Sequence, residues 1–321
     1  MMNTIPSIFN QRQINHTVVG GGEGQDGSRA VLPVTCLLLN RSGMQYRARV
    51  LQNLQSQGFA HIISVDAKNF GVNAEQLSRQ FPFVKFIFAL EPVGPGDMVN
   101  LGMAEAESDF VLVLYDDLCL DGLSLSPVLF KKLLSERTFC TVPRLMADQY
   151  RHLPVRFIPA VSRAMLTIES SSAANDGDAT LYAFDWVGLY SRRTFIQLGG
   201  ADYTISSAYW QKLDLFFRAW LWGERVQVAA GFSASYSGEI PVEDQTADLS
   251  YLRFYLKNLV PVFVNDHAFI RASSFFPFKA RSSCGFGETM RQFRDARRWT
   301  NENRYRFKTD AASLIEQWGK K

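Results

Sequence analysis

Several polar residues in the first half of the chain follow directly on short apolar runs, where their side chains could do chemistry. Asn40 and Arg41 follow 34-VTCLLL-39, Asp66 ends 61-HIISVD-66, Glu91 follows 84-VKFIFAL-90, and Asp116 and Asp117 end 109-DFVLVLYDD-117. A carboxylate in such a place can tether a cation or accept hydrogen bonds, and an arginine can pair with an anion. Plainer readings stand beside these. An Asp-Asp pair is often a turn or helix cap, a lone Asp often opens a turn, and Arg41 fits an exposed turn equally well. Two further carboxylates come later, Asp185 in 181-LYAFDWVGLYS-191 and Asp214 in 207-SAYWQKLDLFFRAWLWG-223.

The elements that position these residues can be read from periodicity. The apolar runs are continuous rather than alternating, as expected of strands buried on both faces. They alternate with helical patterns around 44–57, 73–81 and 98–107. This order specifies an α/β fold, a mainly parallel sheet with helices on both faces. Ligands of such sheets bind at the carboxyl ends of the strands, where the polar residues stand. Further on, helices are expected at 192–198 and 207–223 and a strand at 225–231. Residues 1–30 are polar and glycine-rich and read as a flexible N-terminal arm. Residues 31–250 read as the main domain, and 251–321 as a basic, mainly helical extension.

Composition narrows the class. The chain has 321 residues, 47% of them hydrophobic and 20% charged, with a formal net charge of +3. That charge is too small for a nucleic-acid binder. No apolar run approaches a membrane span, and no apolar segment marks a secretory leader. Cys36 and Cys119 sit in apolar runs and read as small buried hydrophobes, and no cysteine spacing suggests a zinc site. A cytoplasmic protein is expected. Charge is uneven, however: residues 281–321 hold ten Lys/Arg against five acids. That segment is either a solvated helical face or a basic patch for peripheral contact with the membrane inner face.

The order of motifs resembles the inverting GT-A glycosyltransferases of family two, over about residues 34–236. The matching stretches are Leu39-Asn40-Arg41, Val65-Asp66, and Gly94, Gly96, Asn100 and Gly102. They continue with Asp116-Asp117, Gly199-Gly200-Ala201-Asp202 and the helix carrying Asp214, Leu215 and Arg218. The resemblance implies a GT-A, nucleotide-diphospho-sugar transferase-like fold. It implies transfer of a sugar from a nucleotide-diphosphate donor to a glycan or lipid-linked acceptor. It further implies a divalent metal, Mn2+ or Mg2+, held by Asp117 and bridging the donor phosphates. Asp66 would receive the nucleobase, and Asn40, Arg41 and Asp116 would lie near the nucleotide. Tyr209 or Trp210 would stack on a sugar, with core packing as the alternative.

Several family positions are changed. The first Asp of Asp-x-Asp is Tyr115, the second Asp of Val-Asp-Asp is Ala67, and a metal-site His is Tyr236. The Glu-Asp pair that contains the family's base is Gln211-Lys212. A protonated lysine takes up no proton, so Asp214 or Asp185 would have to serve as catalytic base, or else the Glu243-Asp244 loop. Lys212 would instead contact a phosphate. The alternative reading is a catalytically silent GT-A domain that binds a nucleotide sugar, a glycan or a partner.

Overall fold

The computed structural model describes residues 13–22, 32–41, 47–67, 74–119, 127–147, 151–162 and 165–318. Its centre is a nine-stranded sheet. In chain order the strands are β1 (His16–Gly20), β2 (Leu32–Asn40), β3 (Phe59–Asp66), β4 (Val84–Ala89), β5 (Phe110–Tyr115), β6 (Leu118–Cys119), β7 (Cys140–Met146), β10 (Gly188–Ser191) and β11 (Val226–Tyr236). The missing numbers are the hairpin β8 (Arg156–Ser162) with β9 (Met165–Ser171). Across the sheet the order is β1-β4-β3-β2-β5-β10-β7-β11-β6. Strands β4, β3, β2, β5, β7 and β11 run one way, and β1, β10 and β6 oppose them.

This is the mainly parallel α/β sheet that the apolar runs specify. Every residue of β2 except Pro33 is buried, as the continuous apolar run requires of a central strand. Register then levels the strand ends. Asn40 pairs with Asp66 and Leu39 with Tyr115, and the Asp116 N–H donates to the Leu39 carbonyl at 3.1 Å. Residues 40, 41, 66, 116 and 117 therefore share one carboxyl edge.

The helices in chain order are α1 (Arg47–Ser56), α2 (Ala74–Gln80), α3 (Pro95–Glu105), α4 (Pro127–Ser135), α5 (Arg192–Leu198) and α6 (Ala208–Leu221). Helices α7 (Leu249–Phe254), α8 (Phe275–Arg281), α9 (Phe286–Glu302) and α10 (Ala311–Glu316) follow. Helix α3 shows what its small residues do. A Cβ on Gly102 would come within 2.2 Å of the Leu37 side chain, so glycine lets the helix lie close on β2. The Asn100 side-chain amide donates to the Ala201 carbonyl at 2.9 Å and accepts from its N–H at 3.0 Å. That pair fastens α3 to the 199–202 turn, where Gly199 and Gly200 both take positive φ. Gly102→Val is expected to lower stability by about 1–3 kcal/mol through overpacking. Chemical denaturation, read as a shift in midpoint, checks this.

Two differences from the sequence reading concern the ends. Within the expected flexible arm, His16–Gly20 is strand β1, paired antiparallel with β4 from His16↔Ala89 to Gly20↔Lys85. Its apolar signal is limited to Val18 and Val19, with only Val19 packed on the core, and the edge strand is held mainly by backbone pairing. Residues 1–12 and 23–31 of that arm lie outside the described residues. The C-terminal segment is mainly helical, with a short hairpin of β12 (Val262–Val264) and β13 (His267–Phe269). It builds a small core of its own from Leu252, Leu256, Ile270, Phe278, Phe293 and Ala296. Cys36 is buried as expected, and the side chain of Cys119 lies outside the description.

Candidate functional site

Arg41, the first residue beyond β2, organises the carboxyl edge. Its guanidinium lies 3.8 Å over the ring of Tyr115 and grips Asp117 with two bonds, from Nε at 2.8 Å and Nη2 at 3.0 Å. Nη1 reaches Asp185 at 2.8–3.0 Å. The Arg41 backbone N–H donates to Asp116 Oδ1 at 3.0 Å. Burial works against the arginine charge, but the bond to Asp117 and the charges of Asp185 and Asp117 outweigh it and raise the guanidinium pKa.

Asp185 arrives from the far half of the chain on a tight turn, Phe184–Trp186, just before β10. Both Asp185 (φ 52°) and Trp186 (φ 62°) sit in the left-handed region. For residues with a side chain this costs on the order of 1–3 kcal/mol each, and such strain clusters at functional sites. The turn is held by the Tyr190 hydroxyl on the Trp186 carbonyl at 2.8 Å. The Tyr236 hydroxyl donates to Asp185 Oδ2 at 2.9 Å. Burial pushes the Asp185 carboxyl up to about 6, against the lowering pull of Arg41 and Lys212 and the Tyr236 bond.

Asp66 and Asn40 form a neighbouring buried group. Arg47 donates to Asp66 Oδ1, and the Asn40 amide donates to Ser64 Oγ at 2.8 Å and to Asp66 Oδ2 at 3.3 Å. Burial raises the Asp66 carboxyl, with Arg47 opposing. Asn40 Oδ1 is buried and has no hydrogen-bond partner among the described residues, which leaves an acceptor to be satisfied.

Beside the cluster lies a cavity of about 490 Å³, lined by Asp185, Trp186, Tyr209, Lys212 and Glu243, among others. Lys212, at the family's base position, is buried and ion-paired to Glu243. It lies 4.4 Å over the Tyr182 ring, and the Tyr182 hydroxyl donates to Glu243 Oε2 at 3.1 Å. The lysine and the loop carboxylate, expected as separate candidates, thus engage each other. Asp244 also lines the cavity, with Oδ1 accepting from the Thr246 N–H at 2.9 Å. Tyr209 faces the cavity. Trp210 packs on Tyr251 and Phe254 and donates to the Thr246 carbonyl at 2.8 Å, which is the core-packing alternative.

Asp214 is elsewhere. Two residues along a helix is a rotation of about 200°, so Lys212 faces the cavity while Asp214 faces the C-terminal segment. It is 0% exposed and bonded to Lys257 at 3.0 Å and Asn258 at 2.7 Å, with Arg218 at 3.4 Å. A carboxylate so enclosed has no route to an acceptor hydroxyl. The expectation that Asp214 replaces the missing base is corrected: its position is that of a structural counter-ion.

The metal expected at Asp117 does not fit the donor set. Both Asp117 oxygens are held by Arg41, and Tyr236, at the position of the family His, bonds Asp185. Among the described residues no three His, Cys, Asp or Glu side chains are grouped to hold an ion. Asn40, Arg41, Asp66, Asp116, Asp117 and Asp185 do come together. The sequence reading missed Tyr115 as the platform for Arg41, Tyr236 as the donor to Asp185, and Arg47 as the partner of Asp66. At Tyr115 and Tyr236 part of the signal was available, since in each an aromatic stands where the resembled family has a metal-site residue; their closeness to Arg41 arises only in the fold.

The chain matches no known protein-family profile and no curated protein sequence. Solved structures do resemble it. A structure of GalNAc-T7 with UDP, GalNAc and Mn2+ aligns over 92% of this chain at a TM-score of 0.59 and 13% identity. TarS of S. aureus aligns over 69% at 0.48 and 12% identity. The mannosyltransferase PcManGT of Pyrobaculum calidifontis, with GDP-Man and Mn2+, aligns over 90% at 0.47 and 12% identity, and 77% of its own chain is covered. The chain spans 59% of the length of the GalNAc-T7 structure and 38% of the TarS structure. With the sheet order and the levelled strand ends, the GalNAc-T7 alignment shows the fold of the chain to be that of the GT-A glycosyltransferases.

Proposed function

We propose that this chain is a glycosyltransferase that moves a sugar from a nucleotide-diphosphate donor to a glycan or lipid-linked acceptor. The observation that carries the reading is Asp185. It is a buried carboxylate with its pKa raised to about 6, set on a strained turn and opening on a cavity of about 490 Å³. A carboxylate poised there takes the proton of an acceptor hydroxyl as the new C1–O bond forms and the bond to the diphosphate breaks. The nucleobase sits against Asp66 and the unsatisfied Asn40 Oδ1. Arg41 is the cation closest to the diphosphate and engages it by exchanging an Asp117 oxygen for a phosphate oxygen. That exchange assigns Arg41 the part of counter-charge. The likeness to a structure holding UDP, GalNAc and Mn2+ supports the donor class through the shared fold.

The second reading, a silent domain that binds a nucleotide sugar, glycan or partner, draws on a different observation. The family's base position is filled by a buried Lys212–Glu243 pair, and Arg41 is already paired with Asp117 and Asp185. Release of nucleoside diphosphate from UDP- and GDP-sugars, with a panel of glycan and lipid-linked acceptors and with or without Mn2+, separates the two. Turnover that depends on acceptor supports the transferase; donor binding without turnover supports the silent domain. Arg41→Ala is expected to weaken donor binding about tenfold or more, the worth of a charge-assisted hydrogen bond, and calorimetric titration measures it.

A further inference from the structure

The corner where α8 meets α9 carries aromatic rings that the fold leaves outside. Phe276 is 74% exposed and Phe286 63% exposed. Both rings pack against Phe275, each at a centroid distance of 5.9 Å. Phe275 in turn packs on Phe293 at 5.4 Å, within the small C-terminal core. The two exposed rings are therefore mounted on a half-buried ring anchored on the buried Phe293 rather than carried on a loose tip.

Charge surrounds them. Residues 271–298 hold seven Lys/Arg against two acids, Glu288 and Asp295. At about 100° per residue, Phe286, Arg297, Met290 and Arg294 span about 80° of the α9 surface, and Arg298 and Arg291 continue the same side. Glu288 and Asp295 fall on the flank beyond. Among the described residues Arg291 pairs with Glu288 at 2.7 Å, while Arg294, Arg297 and Arg298 are exposed and carry no ion pair. No helix among the described residues is long and apolar enough to cross a membrane.

We propose that this corner docks on an anionic lipid surface, with Phe276 and Phe286 entering the headgroup boundary and the α9 arginines facing lipid phosphates. Phenylalanine rings without polar atoms gain by leaving water for an acyl environment. The adjacent arginines match a negative surface and select anionic over neutral lipid. The proposal is independent of whether the chain transfers a sugar.

Co-sedimentation of the full chain with vesicles tests it, using phosphatidylcholine alone or mixed with phosphatidylglycerol. Binding to the mixed vesicles only, weakened by salt, is the expected result. F276S and F286S should each lower partitioning on the order of tenfold. R294E and R298E should each lower it on the order of fivefold or more. All four positions are exposed, so thermal midpoints should stay at the parent value, and R79E, on the exposed side of α2, should bind as the parent does. Absence of binding to mixed vesicles overturns the proposal. So does equal binding to both vesicle types, or binding that ignores the phenylalanines. Retention on heparin that depends on the arginines but not on the rings, without vesicle binding, would mark a polyanion surface and also overturn it.

Discussion

Asp185→Asn is expected to reduce sugar transfer by a factor of about 10²–10⁴, the usual worth of a general base, with little change in donor affinity. The amide keeps the shape of the side chain and can still accept from Arg41, but it takes up no proton. The pH dependence follows from the same residue. The carboxyl titrates near 6, so turnover should fall as pH drops through 6 and level off above it. Stability runs the other way. Asp185 has a folded pKa above its ordinary 3.8, so its contribution is fully present below 3.8 and is lost as pH rises through 6. Asp185→Asn should therefore cost no stability at neutral pH. Turnover against pH, for the parent and the variant, measures both effects.

Asp214→Ala should do the reverse. It leaves Lys257 and Arg218 in the core without their shared carboxylate, and breaking a buried ion pair costs about 3–5 kcal/mol. Lys257 retains Asp202 at 2.7 Å, which sets the loss toward the lower part of that range. Asp202 is held well below the ordinary carboxylate range: burial alone would raise it, but Lys257 and Thr204 override that. Denaturant unfolding should show the shift. Donor affinity, measured where the variant remains folded, should match the parent, because Asp214 faces the C-terminal segment and not the cavity.

The contrast between these two carboxylates shows what the sequence could and could not convey. Continuous apolar runs ending in Asn40, Asp66 and Asp117 were sufficient to place three residues on one edge, because parallel register levels strands of similar length. The helix period likewise separates Lys212 from Asp214. Other features depend on contacts between distant segments. Asp185 meets Arg41 across 144 positions, and Glu243 meets Lys212 across 31, from a loop with no periodic signal. Strand β1 was illegible for another reason: Val18 and Val19 make an apolar run of only two residues beside a glycine-rich stretch. The metal expectation rested on Asp117, and nothing in the sequence indicated that both its oxygens accept from Arg41, a residue that also reads as part of a turn.

The central claim is that the carboxyl edge binds a nucleotide-sugar donor, and calorimetric titration of the full chain with UDP- and GDP-sugars tests it most directly. Run with and without Mn2+, it should show saturable binding of at least one donor, weakened by Arg41→Ala and by Asp66→Ala. Asp214→Asn should bind as the parent does. No binding of any donor under either condition, or binding that ignores both Arg41 and Asp66, would contradict the account.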